Sequence, residues 1–379
     1  MKLKPFRLER YFAQYEFTAP YLLCCSDCES LSVGDLLRLE QNAQEELSSL
    51  WLGYTEALGG PELRTEIASL YKNISAGQVL VHSGAEEAIF NFMNVALEAG
   101  DHIIVHTPYY QSLAEVARSI GAEVTEWKGN PDQAWELDLQ FIADNVTDRT
   151  KVVVVNFPHN PTGYLPDAEF LHELSNLSDQ LGFLVFSDEV YRGLEYDPAE
   201  RLPSFAEINE RAVSLGVMSK TYGLAGLRIG WVATRNKELL GKLAAFKDYT
   251  TICNSAPSEY LATLALRHRH TIVDRNMEII RRNLGLLAPF FSRHQDFFVW
   301  QEPKAGPIAF PRYLGKSVDQ FCDALVRHAG VLLLPGTLYG DEYDRFRIGF
   351  GRGNLAECLT RLEQFLVDYR RRKISEQMM

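Results

Sequence analysis

Four short apolar runs in this chain end on side chains that can do chemistry. The run from Lys151 leads into Asn156-Phe157-Pro158-His159-Asn160-Pro161-Thr162-Gly163, a second leads into Asp188-Glu189-Val190-Tyr191, and a third ends at Ser219-Lys220, with Arg228 eight residues further on. A fourth runs into Ser83-Gly84-Ala85, after which Ala88, Ile89, Phe92, Met93 and Ala96 recur at helical spacing. If the runs are parallel strands, all of these groups reach the carboxyl edge of one sheet, where open parallel sheets bind their ligands. A lysine held there away from water has a lowered pKa and becomes a nucleophile. Lys220 alone would read as a solvated surface residue, and Ser83-Gly84-Ala85 alone as an ordinary strand-to-helix turn with Ser83 as its cap. What favours a site is that Asn160, Asp188, Tyr191 and Arg228 arrive with Lys220 on independent strands.

This set meets the needs of pyridoxal 5'-phosphate, an electron sink only while its pyridine nitrogen stays protonated, for which a carboxylate partner is required. Asp188 supplies the carboxylate and Lys220 the imine, or Schiff base. Asn160 and Tyr191 suit the ring hydroxyl. Arg228, with the amides at Ser83, Gly84 and Ala85 where a helix begins, suits the phosphate.

The elements that must position these groups are legible as alternating apolar runs and helical patterns between about residues 79 and 235, the mark of crossover units and a largely parallel sheet. Strands are expected at Gln78 to His82, His102 to His106, Lys151 to Asn156, Phe183 to Ser187, Ala212 to Met218 and Ile229 to Thr234. Beyond about residue 258 long helices and short strands take over, ending in a helix with Leu355, Cys358, Leu359, Leu362, Phe365, Leu366 and Tyr369 on one stripe. The fold expected is α/β, with a large cofactor-binding domain over 36–262 and a smaller α+β domain formed by 1–35 and 263–379.

With 379 residues, 46% hydrophobic and 23% charged, the chain can bury a large core. Its net charge of -12 argues against nucleic acid or anionic lipid as partners, and a small molecule is expected instead. No run approaches the ~18 apolar residues of a membrane span or reads as a signal peptide, so a cytoplasmic protein is expected. Six cysteines make no disulfide framework, and Cys24, Cys25 and Cys28 lack a second pair at zinc spacing; they read as buried small side chains, with no metal.

The segments NFPHNPTG, SDEVY and SKTYGLAGLRIGW, in this order and spacing, resemble the signatures of the class I/II aminotransferases of pyridoxal-phosphate fold type I, and the likeness runs from about residue 50 to the end. The resemblance implies a mostly parallel seven-stranded sheet between helices, Lys220 as proton shuttle as well as cofactor anchor, and Tyr110 stacked on the cofactor ring. It also implies an L-amino acid and a 2-oxo acid as substrates. Tyr54, in GYTEALGGPELRTEIASLY, would reach the cofactor phosphate of the other subunit in a homodimer, and Arg347, in DRFRIGFGRGN, would grip the substrate α-carboxylate.

Two departures stand out. Val217 occupies a position where many relatives carry a phosphate-binding hydroxyl, for which Ser219 compensates, and CCSDCESLSVGDLL replaces the usual substrate loop. In that segment Glu29 is expected to enter the site and select a cationic or hydrogen-bonding side chain, while Ser32 with Asp35 reads as a capping box. His159 is expected to be structural. Transamination is the leading reaction. The alternative keeps the cofactor but eliminates or cyclises, because ERYF, VVVNFPHNPTG and AGPIAFPR followed by HAGVLLLPG resemble a cyclase of this family that acts on an arginine derivative. A binding protein that has merely kept the fold is disfavoured, since every catalytic position is filled.

Overall fold

Runs of β-branched residues need both faces covered, and the centre of the chain provides this. In the computed structural model, which describes residues 2–377, seven strands form one sheet: β1 (Val79–His82), β2 (His102–Thr107), β3 (Glu123–Lys128), β4 (Thr150–Asn156), β5 (Leu184–Asp188), β6 (Ala212–Val217) and β7 (Gly230–Ala233). Their spatial order is β1-β7-β6-β5-β4-β2-β3, and β7 alone runs antiparallel to its neighbours. In β4, Val152 and Val154 pack into one hydrophobic cluster and Val153 and Val155 into another on the opposite face. All four are fully buried, each contributing roughly 1.5–3 kcal/mol of burial.

Six of these strands lie where the sequence places them. The seventh, β3, was not anticipated: it is the sheet edge, and Glu123, Val124, Thr125 and Glu126 are all at least partly exposed, so no continuous apolar run marks it. The register sets Asn156 beside Asp188 and Asp188 beside Leu215, which brings the carboxyl ends of β4, β5 and β6 level.

Helix α1 (Arg7–Tyr15) precedes the sheet in the chain, and α2 (Ala85–Ala96) follows β1 and covers one face, Phe92 lying 4.4 Å from Phe186 of β5 between ring centroids. The C-terminal part carries a three-stranded antiparallel sheet of Ile308–Ala309, Phe346–Gly349 and Leu334–Pro335, backed by α3 (Leu355–Gln377), whose apolar stripe is buried from Leu355 to Leu366. The N-terminal chain joins this part. Tyr21–Leu22 pairs in parallel with Val331–Leu332, the Gly349 amide donates to the Leu23 carbonyl at 3.0 Å, and the Glu29 amide donates to the Gly351 carbonyl at 2.8 Å. Residues 23–29 are thereby threaded past the carboxyl edge of the large sheet. The Ser32–Asp35 capping box forms as expected. No helix among the described residues is long and apolar enough to cross a membrane.

Candidate active site

The loop after β4 is fixed by its own asparagine. Asn156 donates from Nδ2 to the Asp188 carbonyl at 2.8 Å, and its Oδ1 accepts from the Asn160 amide at 2.7 Å, which holds Asn160 over the sheet edge. Around that edge lies a cavity of about 380 Å³ whose wall includes Ala85, Tyr110, Asn160, Asp188, Tyr191, Ser219, Lys220, Arg228 and Arg347. Nine of the residues singled out in the sequence are thus brought to one place from six strands and their loops.

Lys220 Nζ donates to Ser26 Oγ at 2.8 Å, and burial pulls its pKa below the ordinary lysine value. Asp188 is also buried, with Oδ1 accepting from the Val190 amide at 3.2 Å, and desolvation raises its carboxyl to about 7. The Tyr191 hydroxyl donates to the Ser26 carbonyl at 2.8 Å, and burial pushes that phenol up. Arg347 is fully enclosed. Its Nε donates to the Cys24 carbonyl at 3.0 Å, while Nη1 donates to the Tyr339 hydroxyl at 2.8 Å and to Asn160 Oδ1 at 3.3 Å.

At the other end of the cavity α2 begins at Gly84 with no side-chain cap, so its first amides are free for an anion. The fit is tight. A Cβ on Gly84, whose φ is 92°, would lie 2.6 Å from Arg228 Nη2, and one on Gly230 would lie 2.8 Å from the Ala85 nitrogen. Arg228 itself sits in the left-handed region at φ 52°, uncommon for a residue with a side chain.

These groups fit pyridoxal 5'-phosphate. A buried carboxyl in no ion pair among the described residues suits a pyridinium N–H, a buried lysine with a lowered pKa suits the carbonyl carbon, and a guanidinium beside uncapped helix amides suits the phosphate.

Not every expected residue reaches the cavity. Ser83 turns away, its amide donating to Glu87 Oε2 at 2.6 Å, and Gly84 contributes by close approach to Arg228. Tyr54 is 86% exposed on the surface. Glu29 does not enter: its carboxylate accepts from the Gly353 amide at 2.8 Å, because the backbone pairing of Glu29 with Gly351 aims it at that turn. Asp27, two residues earlier, lines the cavity instead and holds Arg352 in a two-pronged pair at 3.2 and 2.9 Å. Ser26 and Tyr339 were missed as well, and so was the face of α1 carrying Glu9 and Phe12, although Tyr110 donates to Glu9 Oε1 at 3.0 Å.

His159 is buried and stacked on His106 with 3.8 Å between ring centroids; its Nδ1 meets Thr162 Oγ1 at 2.7 Å, and desolvation lowers it to about 3. Among the described residues no group of His, Cys, Asp and Glu is arranged to hold a metal, and Cys24, Cys25 and Cys28 are buried free thiols.

The sequence profile of class I and II aminotransferases matches residues 26–363. Capreomycidine synthase of Streptomyces vinaceus is 30% identical over 90% of this chain and 88% of its own. A crystal structure of a pyridoxal-phosphate-dependent aminotransferase from Streptococcus suis 89-1591 superposes with a TM-score of 0.91 at 30% identity, over 97% of this chain and 99% of that one. The pyridoxal-phosphate-dependent cyclase OrfR superposes with a TM-score of 0.88 at 28% identity, over 97% and 98% of the two chains.

Proposed function

The chain belongs to the class I and II aminotransferases and depends on pyridoxal 5'-phosphate, and from that premise we propose that it transfers the amino group of an L-amino acid to a 2-oxo acid. The observation that carries this reading is the placing of Lys220, with its lowered pKa, on the same cavity wall as the buried guanidinium of Arg347. One fixes the substrate carboxylate; the other reaches the carbon next to it.

Bound pyridoxal phosphate supplies the sink for the electron pair left when a bond at the substrate α-carbon breaks. Asp188 would hold the proton at the ring nitrogen. Arg228, the Ala85 amide and Ser219 would bind the phosphate. Asn160 and Tyr191 would bond the ring oxygen, and Tyr110 would stand against the ring face. Arg347 takes the α-carboxylate through a paired contact that its planar fork allows and a lysine would not. Lys220 Nζ would take the proton from the substrate α-carbon and hold it for return on the far side of the substrate nitrogen. Helix α1, with Leu8 and Phe12 on the cavity wall, excludes water while it does so.

Two copies of the chain are part of the proposal. Tyr54 is 86% exposed beside Trp51 at 79% and Leu52 at 77%, apolar surface suited to a partner subunit whose cofactor phosphate Tyr54 would reach. Sedimentation that finds only monomers would remove this part of the reading.

The test of the reaction is direct: holoenzyme with a panel of amino acids and a 2-oxo acid acceptor should form the matching 2-oxo acid, and failure with every donor refutes transamination. The likeness to capreomycidine synthase and OrfR supports a second reading, in which the same residues break a bond further along the side chain and the product is cyclised or eliminated. Products that keep the amino group, or free ammonia without acceptor turnover, decide for it.

A further inference from the structure

The cavity wall carries more carboxylates than this chemistry uses. They are Glu9, Glu16, Asp27, Glu86 and Asp188. Asp188 faces the cofactor ring, Asp27 is committed to Arg352, and Glu86 accepts from Ser112 Oγ at 3.0 Å with its carboxyl raised to about 7 by burial. That leaves Glu9 and Glu16, both on the first helix or its C-cap. They are seven residues apart, so two turns separate them and they share the face laid over the cavity, with Phe12 between them. Glu9 uses one oxygen for the Tyr110 hydroxyl. The Glu16 carboxylate has neither a hydrogen bond nor an ion pair among the described residues, and burial pushes its carboxyl up against the opposing pull of Arg352 and Lys220. On the same wall the cations are spoken for: Lys220 and Arg228 by the cofactor, Arg347 by the α-carboxylate, Arg352 by Asp27.

We propose, building on the amino-acid reading above, that Glu9, Phe12 and Glu16 form the side-chain subsite and that the preferred substrate carries a cation, an ammonium or guanidinium, at the end of an apolar stem. The helix rise separates the two glutamates by roughly 10 Å, a gap that two glutamate side chains and one guanidinium span. The stem lies along Leu8 and Phe12; the Phe12 ring already faces the Arg347 guanidinium at 5.8 Å, so the substrate's charge is left to the two carboxylates. A cation lodged there restores to Glu16 the stabilisation that its burial removes. The role foreseen for Glu29 therefore falls to residues of α1.

The test uses the full chain loaded with cofactor and titrates it with L-arginine and L-citrulline, which match in length but differ in charge, following the absorbance of the bound cofactor. L-Arginine should half-saturate at a concentration about tenfold or more below L-citrulline, the effect of one charge-assisted bond to a partly buried carboxylate. Glu9→Gln and Glu16→Gln together should bring the ratio towards one, while Glu16→Asp, which keeps the charge, should retain a clear preference. Equal responses in the unaltered protein, or a preference that survives the double glutamine change, overturn the inference. Absorbance reports occupancy whatever follows, so arginine preference without 2-oxo acid formation refutes transamination and upholds the cationic subsite.

Discussion

Replacing Asp188 by asparagine removes one ionisable proton and little else, which makes its consequences calculable. The side chain is 6% exposed, and desolvation raises its carboxyl from the ordinary 3.8 to about 7 in the cofactor-free chain. Because the folded value lies above the unfolded one, the folded chain binds the proton more tightly, and stability falls as pH rises between those two values. At about 1.4 kcal/mol per pH unit, the penalty is small below pH 3.8, reaches about 1.7 kcal/mol at pH 5 and levels off at about 4 kcal/mol above pH 7. Asparagine cannot ionise. Urea unfolding of the cofactor-free proteins should therefore find Asp188→Asn more stable than the unaltered chain, by an amount that grows with pH up to about 4 kcal/mol at pH 8. Adding pyridoxal phosphate should reverse the order, since the carboxylate then has a pyridinium and the amide does not, and turnover should be lost in the variant. A stability difference that is flat between pH 5 and 8, or equal stabilisation of both proteins by the cofactor, would refute both the buried charge and the role assigned to it.

Lys220→Arg should abolish turnover and leave no borohydride-stable cofactor adduct on the chain, read by mass spectrometry. Arg347→Lys keeps the charge but not the fork, and should raise KM for the amino acid by roughly tenfold to a hundredfold with a smaller change in kcat, measured by steady-state kinetics. Gly84→Ala places a methyl 2.6 Å from Arg228 Nη2 at a φ of 92°, so the guanidinium must shift; the Kd for pyridoxal phosphate should rise about tenfold or more by fluorescence titration, the loss of one charge-assisted contact.

How much of this could be read from residues alone depended on range. The central strands were legible because Val152–Val155 and their counterparts are apolar on both faces, a pattern few other environments demand. The edge strand β3 was not, since its exposed Glu123 and half-exposed Thr125 and Glu126 look like loop. Asp188, Lys220 and Asn160 were legible because they end or closely follow strands whose carboxyl ends the register brings level, and Arg228 because it stands in the loop that leads from the Lys220 strand into the next. Tyr339 was not: it reaches the site only through its bonds to Asn160 and Arg347, across 179 residues of chain in the first case.

The misplacement of Glu29 has the same physical root and points to the signal that was overlooked. A side chain in a loop takes its direction from the backbone the loop lies on, and for residues 23–29 that backbone is Phe346–Gly351. The glycines there record the contact. A Cβ on Gly349 would fall 1.8 Å from the Cys25 carbonyl oxygen, and one on Gly351 would fall 2.4 Å from that of Asp27. Alternating glycines beside Arg347 therefore mark a second chain crossing flush against the strand that binds the substrate carboxylate. That crossing turns Ser26 to Lys220 and Asp27 to Arg352, leaves Glu29 to the Gly353 amide, and so leaves the choice of side chain to helix α1.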